Sequence, residues 1–311
     1  MNYYRPTIER AEELESYLRY NEFYGCQLTL ANVILWSSHY DTYYTTVADM
    51  LVFCKVEDGR PCAFSFPVGG GSAKEAFDAI VCYFKEQKLP VIFYLVDAKM
   101  YEQIESWYPG EYVLEMDSDS SDYLYETESL ATLQGKKLHA KRNHINRFLE
   151  RYPDYQYEDI TDGNIDDCLK LAKDWHKDKL AALEDPSLSD DFDDEYDAIE
   201  LAIRNRGILH MKGALLRVDG KAIAFTLGSP INNDVFDVHF EKAYADIQGA
   251  YSMINREFVR HQLMDYKYIN REEDLGIEGL RKAKESYNPI MKWEKGMLYA
   301  KDNIISQDLK V

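Results

Sequence analysis

The sequence predicts an α+β protein whose two halves share one order of elements: a helix, a β-hairpin, a second helix and an apolar strand. Its 311 residues are many for a single hydrophobic core and suit two domains. Apolar residues make up 46% and charged residues 29%, which is ordinary for a globular protein. Because the halves are not alike in sequence, we predict a similar architecture rather than a sequence repeat.

Turn signals and periodicity mark the elements of the first half. Asp58-Gly59 lies between two β-rich runs in LVFCKVEDGRPCAFSFPV, which predicts a hairpin. SAKEAFDAIVCYFKEQK predicts a helix whose N-cap is Ser72 or a neighbouring glycine. PVIFYLV is wholly apolar, which is typical of a strand buried on both faces.

The second half carries the same signals. Asp219-Gly220 interrupts GALLRVDGKAIAFTLGSP and predicts a second hairpin, followed by the strand DVFDVHFEKAY. The helix QGAYSMINREFVRHQLMD comes next, with one apolar side. The other elements predicted here are a helix, a strand, a helix and a strand, in NIDDCLKLAKDWHKDKL, KYIN, IEGLRKAKESY and PIMKWEKGMLYA. We place the domain boundary at Tyr152-Pro153-Asp154, which predicts domains at 1–152 and 153–311.

The formal net charge of −19 argues against broad, non-specific nucleic-acid binding, which needs a basic footprint. No DNA partner is therefore predicted, although a local basic pocket for one anionic ligand is compatible with this charge. The acidic insertion at 183–197 predicts a solvated loop. It lacks the spacing and the glycine of an EF-hand, so no metal site is predicted.

The five cysteines include no Cys-x-x-Cys pair and most lie in apolar runs, which indicates buried, reduced thiols in a cytoplasmic protein. The N-terminal MNYYRPTIER has no basic segment followed by an apolar one, so no signal peptide is predicted. No apolar run approaches the roughly 20 residues that span a bilayer, so no integral membrane segment is predicted.

A basic helix is predicted within residues 130–151. Six of the 36 Lys and Arg residues lie between Lys136 and Arg151. Helical periodicity puts an apolar face beside a cationic face that includes Lys141, with Arg142 at its margin. Such a stripe would attract a phosphate or a tRNA backbone, and a merely solvated helix face is the alternative.

A second basic cluster lies in NREEDLGIEGLRKAKESYNP, residues 270–289. Asp274 suits an N-cap, and Leu280, Ala283 and Tyr287 share a predicted core face. Glu278 can pair with Lys282 one turn further on.

A capped amphipathic helix does not explain why Arg271, Arg281 and Lys284 crowd its entry and one of its faces. Two further features could converge there. Glu241 ends an apolar strand, where sites of α/β proteins usually lie, although an exposed pair with Lys242 is the alternative. Gly249 opens a helix whose N–H groups could face an anion.

Motifs of known catalytic machinery are not readable in this sequence. It shows no Ser-His-Asp or Cys-His signature, no Walker phosphate loop, no Gly-x-Gly-x-x-Gly and no metal spacing among its seven histidines.

Taken together, several sequence blocks resemble bacterial proteins related to the C-terminal domain of phosphatidylglycerol lysyltransferase. The resemblance covers most of residues 125–299. The blocks that carry it are LQGKK at 133–137, KRN at 141–143, Phe148, EKA at 241–243, GAY at 249–251, NREEDLG at 270–276, GLRKAK at 279–284, Tyr287 and Pro289.

The resemblance implies two tandem GNAT-like (acetyltransferase-type) domains, each a mixed, mostly antiparallel sheet flanked by helices, as in peptidoglycan aminoacyltransferases. It implies an acyl- or aminoacyl-transferase with a site between splayed strands of the second domain. The implied catalytic residues are Glu241 as base and Asp274. The implied donor- and phosphate-binding residues are Arg271, Arg281, Lys284, Gln248, Gly249, Lys141 and Arg142.

The donor and the acceptor stay open at this level. The full lysyltransferases take an aminoacyl group from tRNA and place it on a lipid headgroup, but they carry a large membrane domain. Acetyl-CoA enzymes have a richer glycine turn for pyrophosphate, of which Gln248-Gly249-Ala250 remains. Aminoacyl-tRNA and acyl-CoA are both candidate donors, and a non-catalytic GNAT-like binding module is the third hypothesis.

Overall fold

The chain forms two compact units in the computed structural model, which describes residues 1–181 and 189–303 but not the side chains of 189–191. The first unit comprises residues 1–122, 273–276 and 292 onward, and the second comprises 123–272 and 277–291. The units are delimited by contacts, whereas the predicted domains 1–152 and 153–311 rest on a repeated element order. That prediction stays a prediction.

The first unit is a mixed sheet with helices, built mainly from residues 1–122. Its helices are α1 (Ala11–Leu18), α2 (Leu30–Leu35), α3 (Ala73–Gln87) and α4 (Ala98–Trp107). Its strands are β1 (Thr42–Val47), β2 (Met50–Glu57), β3 (Arg60–Ser65), β4 (Val68–Gly69), β5 (Ile92–Val96), most of β6 (Tyr112–Glu126) and most of β12 (Met291–Ala300). The sheet order is β1-β2-β3-β5-β12-β6, with β4 on β2.

The predicted elements of this unit are confirmed. Asp58-Gly59 turns β2 into β3 with positive φ at both residues, as a two-residue hairpin turn requires. The Ser72 hydroxyl caps α3 by accepting the N–H of Glu75.

The second unit is likewise a mixed sheet flanked by helices. Its helices are α5 (Thr127–Thr132), α6 (His139–Arg151), α7 (Ile165–Ala181), α8 (Ser189–Arg204), α9 (Ala250–Gln262) and α10 (Glu278–Glu285). Its strands, besides the end of β6, are β7 (Gln156–Asp159), β8 (Lys212–Val218), β9 (Lys221–Pro230), β10 (Val235–Ala243) and β11 (Tyr268–Asn270). The order is β6-β11-β10-β9-β8-β7.

Strand β10 is the element that positions the candidate site. It pairs antiparallel with β9 along its length but parallel with β11 over three residues, the last pair being Asp237 with Asn270. The pairing ends there because β11 ends at Asn270, so the rest of β10 is not paired with β11. A β-bulge between Val238 and Phe240 further changes which side chains face each side of the sheet.

One core supports this region. Helix α9 buries Met253, Ile254, Phe258 and Val259 against Phe236 and Val238 of β10, and Phe148 of α6 joins the same cluster. Burial of such side chains stabilises the unit by about 1.5–3 kcal/mol each. The strand end and the start of α9 therefore rest on rigid, close-packed elements.

Four predictions from the sequence are corrected by the structure. The basic region forms two helices rather than one, because Leu133 takes left-handed backbone after α5. Residues 189–197 of the predicted acidic loop belong to α8, and 183–188 lie outside the described residues. The N-cap of α10 is Ile277 rather than Asp274. The predicted core face of α10 is not buried: no residue of the helix is buried, and Leu280 is 41% exposed.

All five cysteines are free thiols, and Cys26, Cys54 and Cys168 are buried as expected, whereas Cys82 is exposed. Within the described ranges, no helix combines the length and the apolar character needed to cross a membrane.

Candidate functional site

Glu241 and Arg271 meet where β10 and β11 diverge. Glu241 lies near the end of β10, and Arg271 directly follows β11, whose backbone continues to pair with Tyr123 of β6. Arg271 Nη2 lies 3.0 Å from Glu241 Oε1, and both side chains are largely buried, at 14% and 11% exposed. A buried pair of this kind holds the two strand ends in one arrangement.

Asn255 of α9 completes the environment of the Glu241 carboxylate. Its Nδ2 donates to Glu241 Oε2 at 3.0 Å, so both carboxylate oxygens are engaged. Burial opposes the charged form of Arg271, but the Glu241 charge and neighbouring tyrosines hold its pKa above the ordinary value. The guanidinium is therefore a fixed positive charge in a largely dry setting.

The ring of Tyr287 contacts two cations. Arg271 Cζ lies 4.7 Å from the ring centroid and Lys141 Nζ of α6 lies 3.9 Å from it. The Tyr287 hydroxyl donates to Ser252 Oγ of α9 at 3.3 Å, and burial raises the pKa of this phenol. Tyr287 thus brings residues from three distant segments together.

Lys141 has a pKa well below that of an ordinary lysine. Burial and, to a smaller extent, the nearby Arg271 charge lower the pKa of this ammonium, Glu241 partly opposes them, and the net pKa is about 8. The residue is partly exposed. Among the described residues it makes no hydrogen bond or ion pair, and its Nζ contacts the Tyr287 ring.

Lys284 joins this cluster through the backbone. Its Nζ donates to the carbonyl oxygen of Arg271 at 2.5 Å. The Tyr125 hydroxyl donates to the backbone carbonyl oxygen of Lys284 at 2.8 Å. The predicted cations Lys141, Arg271 and Lys284 therefore lie around one site. Arg281 lies one turn before Lys284 on α10 and is partly exposed.

Two buried polar atoms at this site lack partners. Arg271 Nη1 and Asn255 Oδ1 make no hydrogen bond of acceptable geometry with the described residues. Leaving a buried donor or acceptor unpaired costs about 1–3 kcal/mol, so native structures rarely tolerate it without a ligand or water. One atom is a donor and the other an acceptor, which suits a ligand carrying both kinds of group.

The remaining predicted residues of the second unit have other surroundings. Arg142 Nη1 donates to the carbonyl oxygens of Leu133 and Gly135, so it fixes the turn between α5 and α6. Gln248 is exposed at the start of α9.

Gly249 has a structural reason to be glycine. Its φ is +88°, and an added Cβ would lie 2.5 Å from the carbonyl oxygen of His144 in α6. The residue thus allows α9 to begin in close contact with α6. The N-terminus of α9 has no side-chain cap. The predicted anion-binding role of this turn stays a prediction.

Asp274 belongs to the first unit. Its side chain is buried and accepts the N–H of Gly276 at 2.9 Å, which makes a local turn. Another buried ionic group of this unit is Lys295, whose Nζ lies 2.5 Å from Asp122. Burial lowers the pKa of Lys295, but Asp122 outweighs that effect and raises it overall.

Reading the sequence alone missed a hydrogen-bonded histidine in the second unit. Ser229 Oγ lies 2.7 Å from His239 Nε2, and His239 Nδ1 lies 3.1 Å from Glu272 and 3.3 Å from Asp237. The His239 side chain is fully buried and Ser229 is 2% exposed. Alternation in VFDVHFE could have placed Asp237 and His239 on one strand face, but the pairing with Ser229 depends on the register of β9 and β10.

Glu241 and its neighbour Lys242 face opposite sides of β10, so the exposed pair that was the alternative to a site role does not form. Lys242 Nζ lies 2.6 Å from Glu195 of α8 and 3.6 Å from the Trp175 ring of α7. Burial lowers the pKa of Lys242, and Glu195 partly offsets that shift. The strand thus separates two charged residues that are adjacent in sequence.

Solved structures of other proteins resemble this fold. A conserved protein of unknown function from Bacteroides thetaiotaomicron is 38% identical, with a TM-score of 0.86 over 97% of this chain and 100% of its own. The C-terminal domain of a putative lysylphosphatidylglycerol synthetase from Agrobacterium fabrum is 14% identical, with a TM-score of 0.62 over 97% and 93%. The L-PGS structure from Bacillus licheniformis is also 14% identical, with a TM-score of 0.64 over 98% and 96%.

Sequence comparison shows the family. An uncharacterized protein of Mycoplasmoides gallisepticum is 29% identical over 187 residues, which are 59% of this chain and 58% of that relative's length. The family model described as phosphatidylglycerol lysyltransferase, C-terminal, matches residues 19–299. The resemblance inferred from the sequence blocks is confirmed, and the chain belongs to the phosphatidylglycerol lysyltransferase C-terminal family.

Proposed function

We propose that the chain is an acyl- or aminoacyl-transferase, and that its site lies in the second unit where β10 and β11 diverge. The enzyme moves an activated acyl group from a phosphate-bearing donor to an amine or hydroxyl acceptor. Two tandem GNAT-like domains, at 1–152 and 153–311, and a cytoplasmic location are part of this proposal.

One observation supports the proposal above the others. Lys141 and Arg271 flank the Tyr287 ring, and beside them Arg271 Nη1 and Asn255 Oδ1 are buried without partners. Acyl transfer needs cationic and hydrogen-bonding groups aimed at a developing oxyanion. Arg271 and Lys141 are cations of this kind, and Arg271 Nη1 is a hydrogen-bond donor of this kind.

The predicted roles can be refined on this geometry. Arg271 is suited to the acyl oxyanion, and Lys284 with Arg281 to a phosphate of the donor. Glu241 accepts from Arg271 and Asn255, so both of its carboxylate oxygens are already engaged by the protein. We assign Glu241 the positioning of Arg271. Gln248 and Gly249 are kept as the donor-facing turn, and Asp274 as a further residue to test.

The donor is tested by direct comparison of two classes. The protein is incubated with lysyl-tRNA and, separately, with acetyl-CoA, each with and without phosphatidylglycerol vesicles. Loss of the acyl group from one donor, faster than with the Arg271→Ala protein, identifies the donor class. Appearance of label in lipid identifies a lipid acceptor, as the name of the family suggests.

A non-catalytic binding module is the competing function. The ion pair between Glu241 and Arg271 is a feature that this alternative also expects. If neither donor loses its acyl group faster than in the Arg271→Ala control, the transferase proposal is wrong and the binding module is retained.

A further inference from the structure

We propose that Lys141 is the proton-transfer group of this site. Its neutral amine accepts the proton of the attacking acceptor, and the resulting ammonium returns that proton to the leaving group of the donor. This inference rests on the proposed transferase function. It replaces the phosphate-binding role that the sequence suggested for Lys141.

The first support is that no described residue hydrogen-bonds or ion-pairs with the Lys141 amine. Its Nζ lies 3.9 Å from the centroid of Tyr287, and it makes no hydrogen bond or ion pair with any described residue. Lys284, by contrast, donates to the carbonyl oxygen of Arg271. A group that must exchange a proton with substrate needs a free lone pair or N–H, and Lys141 has one.

The second support is the charge around Lys141. Arg271 after β11 disfavours the ammonium, Glu241 on β10 favours it, and the neutral Tyr287 phenol lies beneath it. Together with burial these groups bring the pKa to about 8. Near neutral pH both protonation states are then populated, whereas an exposed lysine with a pKa near about 10.4 is almost wholly charged.

The third support is that neighbouring groups supply the other tasks of the reaction. Arg271 Nη1 is an unpaired donor suited to the carbonyl oxygen of the acyl group. Asn255 Oδ1 is an unpaired acceptor, in a residue only 2% exposed, suited to the O–H or N–H of the acceptor. Glu241 has both oxygens engaged, so Lys141 is the basic group left for the proton.

The step balances without a further reactant. The acceptor oxygen or nitrogen forms a bond to the acyl carbon and gives its proton to Lys141 Nζ. The bond from the acyl carbon to the ribose oxygen or the CoA sulfur then breaks. Lys141 protonates that leaving group and returns to its neutral form.

The test is the pH dependence of transfer from whichever donor the wild-type protein uses. We expect log kcat/KM to rise by one unit per pH unit up to an apparent pKa near 8, reporting Lys141 in the free protein. Lys141→Gln should lower kcat/KM by about 10²–10⁴-fold and abolish that limb. Lys170→Gln, at an exposed lysine of α7, is the matched control and should keep both the rate and the limb.

A second measurement does not depend on turnover. Lysines are ¹³C-methylated, the Lys141 signal is assigned by its absence in Lys141→Arg, and its titration is followed by NMR with and without donor. A pKa near 8 that stays below 9 with a non-transferable donor analogue bound supports the proposal. A pKa driven to the ordinary lysine range by the analogue would show a phosphate contact and overturn it.

The two levels of failure are separable. If wild type transfers no acyl group from either donor, the transferase function fails and this inference falls with it. If wild type transfers but Lys141→Gln keeps the rate and the acidic limb, the proton-transfer role alone is wrong.

Discussion

The two faces of β10 carry two polar clusters that differ in their exposure to solvent. On the face of α9, Glu241 and Arg271 adjoin a partly exposed Lys141 and two buried atoms without partners. On the other face, Ser229, His239 and Glu272 form a chain of hydrogen bonds, with the His239 side chain fully buried. The second cluster looks more like a hydrolase site on residue types alone. We call the first the open cluster, because Lys141 is partly exposed and a ligand could reach it, and the second the closed cluster, because full burial of the His239 side chain indicates a structural role.

The largest effect is expected when Arg271 is removed from the open cluster. Arg271→Ala should lower kcat/KM for transfer by about 10²–10³-fold, because it removes a fixed donor and charge from the reacting centre. It also leaves Glu241 buried without its cation, which can cost about 3–5 kcal/mol of stability. Kinetics and urea unfolding are therefore measured together.

Arg271→Lys is the control that separates a loss of activity from a failure to fold. It keeps the charge near Glu241 but loses the second guanidinium nitrogen, so it should fold and still transfer slowly. A folded Arg271→Lys protein with the wild-type rate would contradict a role for Nη1.

The next largest effect is expected when Ser229 is removed from the closed cluster. Ser229→Ala leaves His239 Nε2 buried without its partner, and should destabilise the protein by about 1–3 kcal/mol. Transfer activity should be unchanged at a temperature where the variant is folded. Loss of activity without loss of stability would reverse the assignment of the two clusters and make Ser229 a candidate nucleophile.

A smaller effect concerns stability and pH at Lys141. The lowered pKa means that the unfolded chain binds more protons than the folded protein between about pH 8 and about 10.4, so this group makes stability rise with pH there. Lys141→Met removes that rise. Its melting temperature relative to wild type should therefore be highest below pH 8 and fall by a few degrees as pH approaches 10.4. If the difference in melting temperature between Lys141→Met and wild type is constant over this pH range, the pKa of Lys141 is not lowered by folding.

The smallest effect is expected on the exposed face of α10. The Lys282 and Glu278 side chains are 72% and 79% exposed although their charged atoms lie 2.5 Å apart. Lys282→Ala should cost less than about 0.5 kcal/mol and leave donor binding unchanged. Lys284→Ala, two residues away, should weaken donor binding if the cluster around Arg271 is the donor site. Equal effects of both substitutions on donor affinity would indicate diffuse attraction rather than a site.

Local signals in the sequence determined most of the elements. Asp58-Gly59 and Asp219-Gly220 can take the positive φ angles that hairpin turns require, and Ser72 can cap a helix wherever that helix packs. The pairing of Glu278 with Lys282 is confirmed for the same reason, since helical spacing alone brings them together. These outcomes depend on residues within a few positions of each other.

The tertiary structure decided the content of the site. Glu241 reaches Arg271 because β10 and β11 are parallel neighbours that diverge, and His239 reaches Ser229 through the register of β9 with β10. The sequence singled out Lys141 as one of many cations. Its low pKa comes from burial beside Arg271 and Tyr287, which are remote in sequence, and desolvation depends on everything packed around a group rather than on its neighbours along the chain.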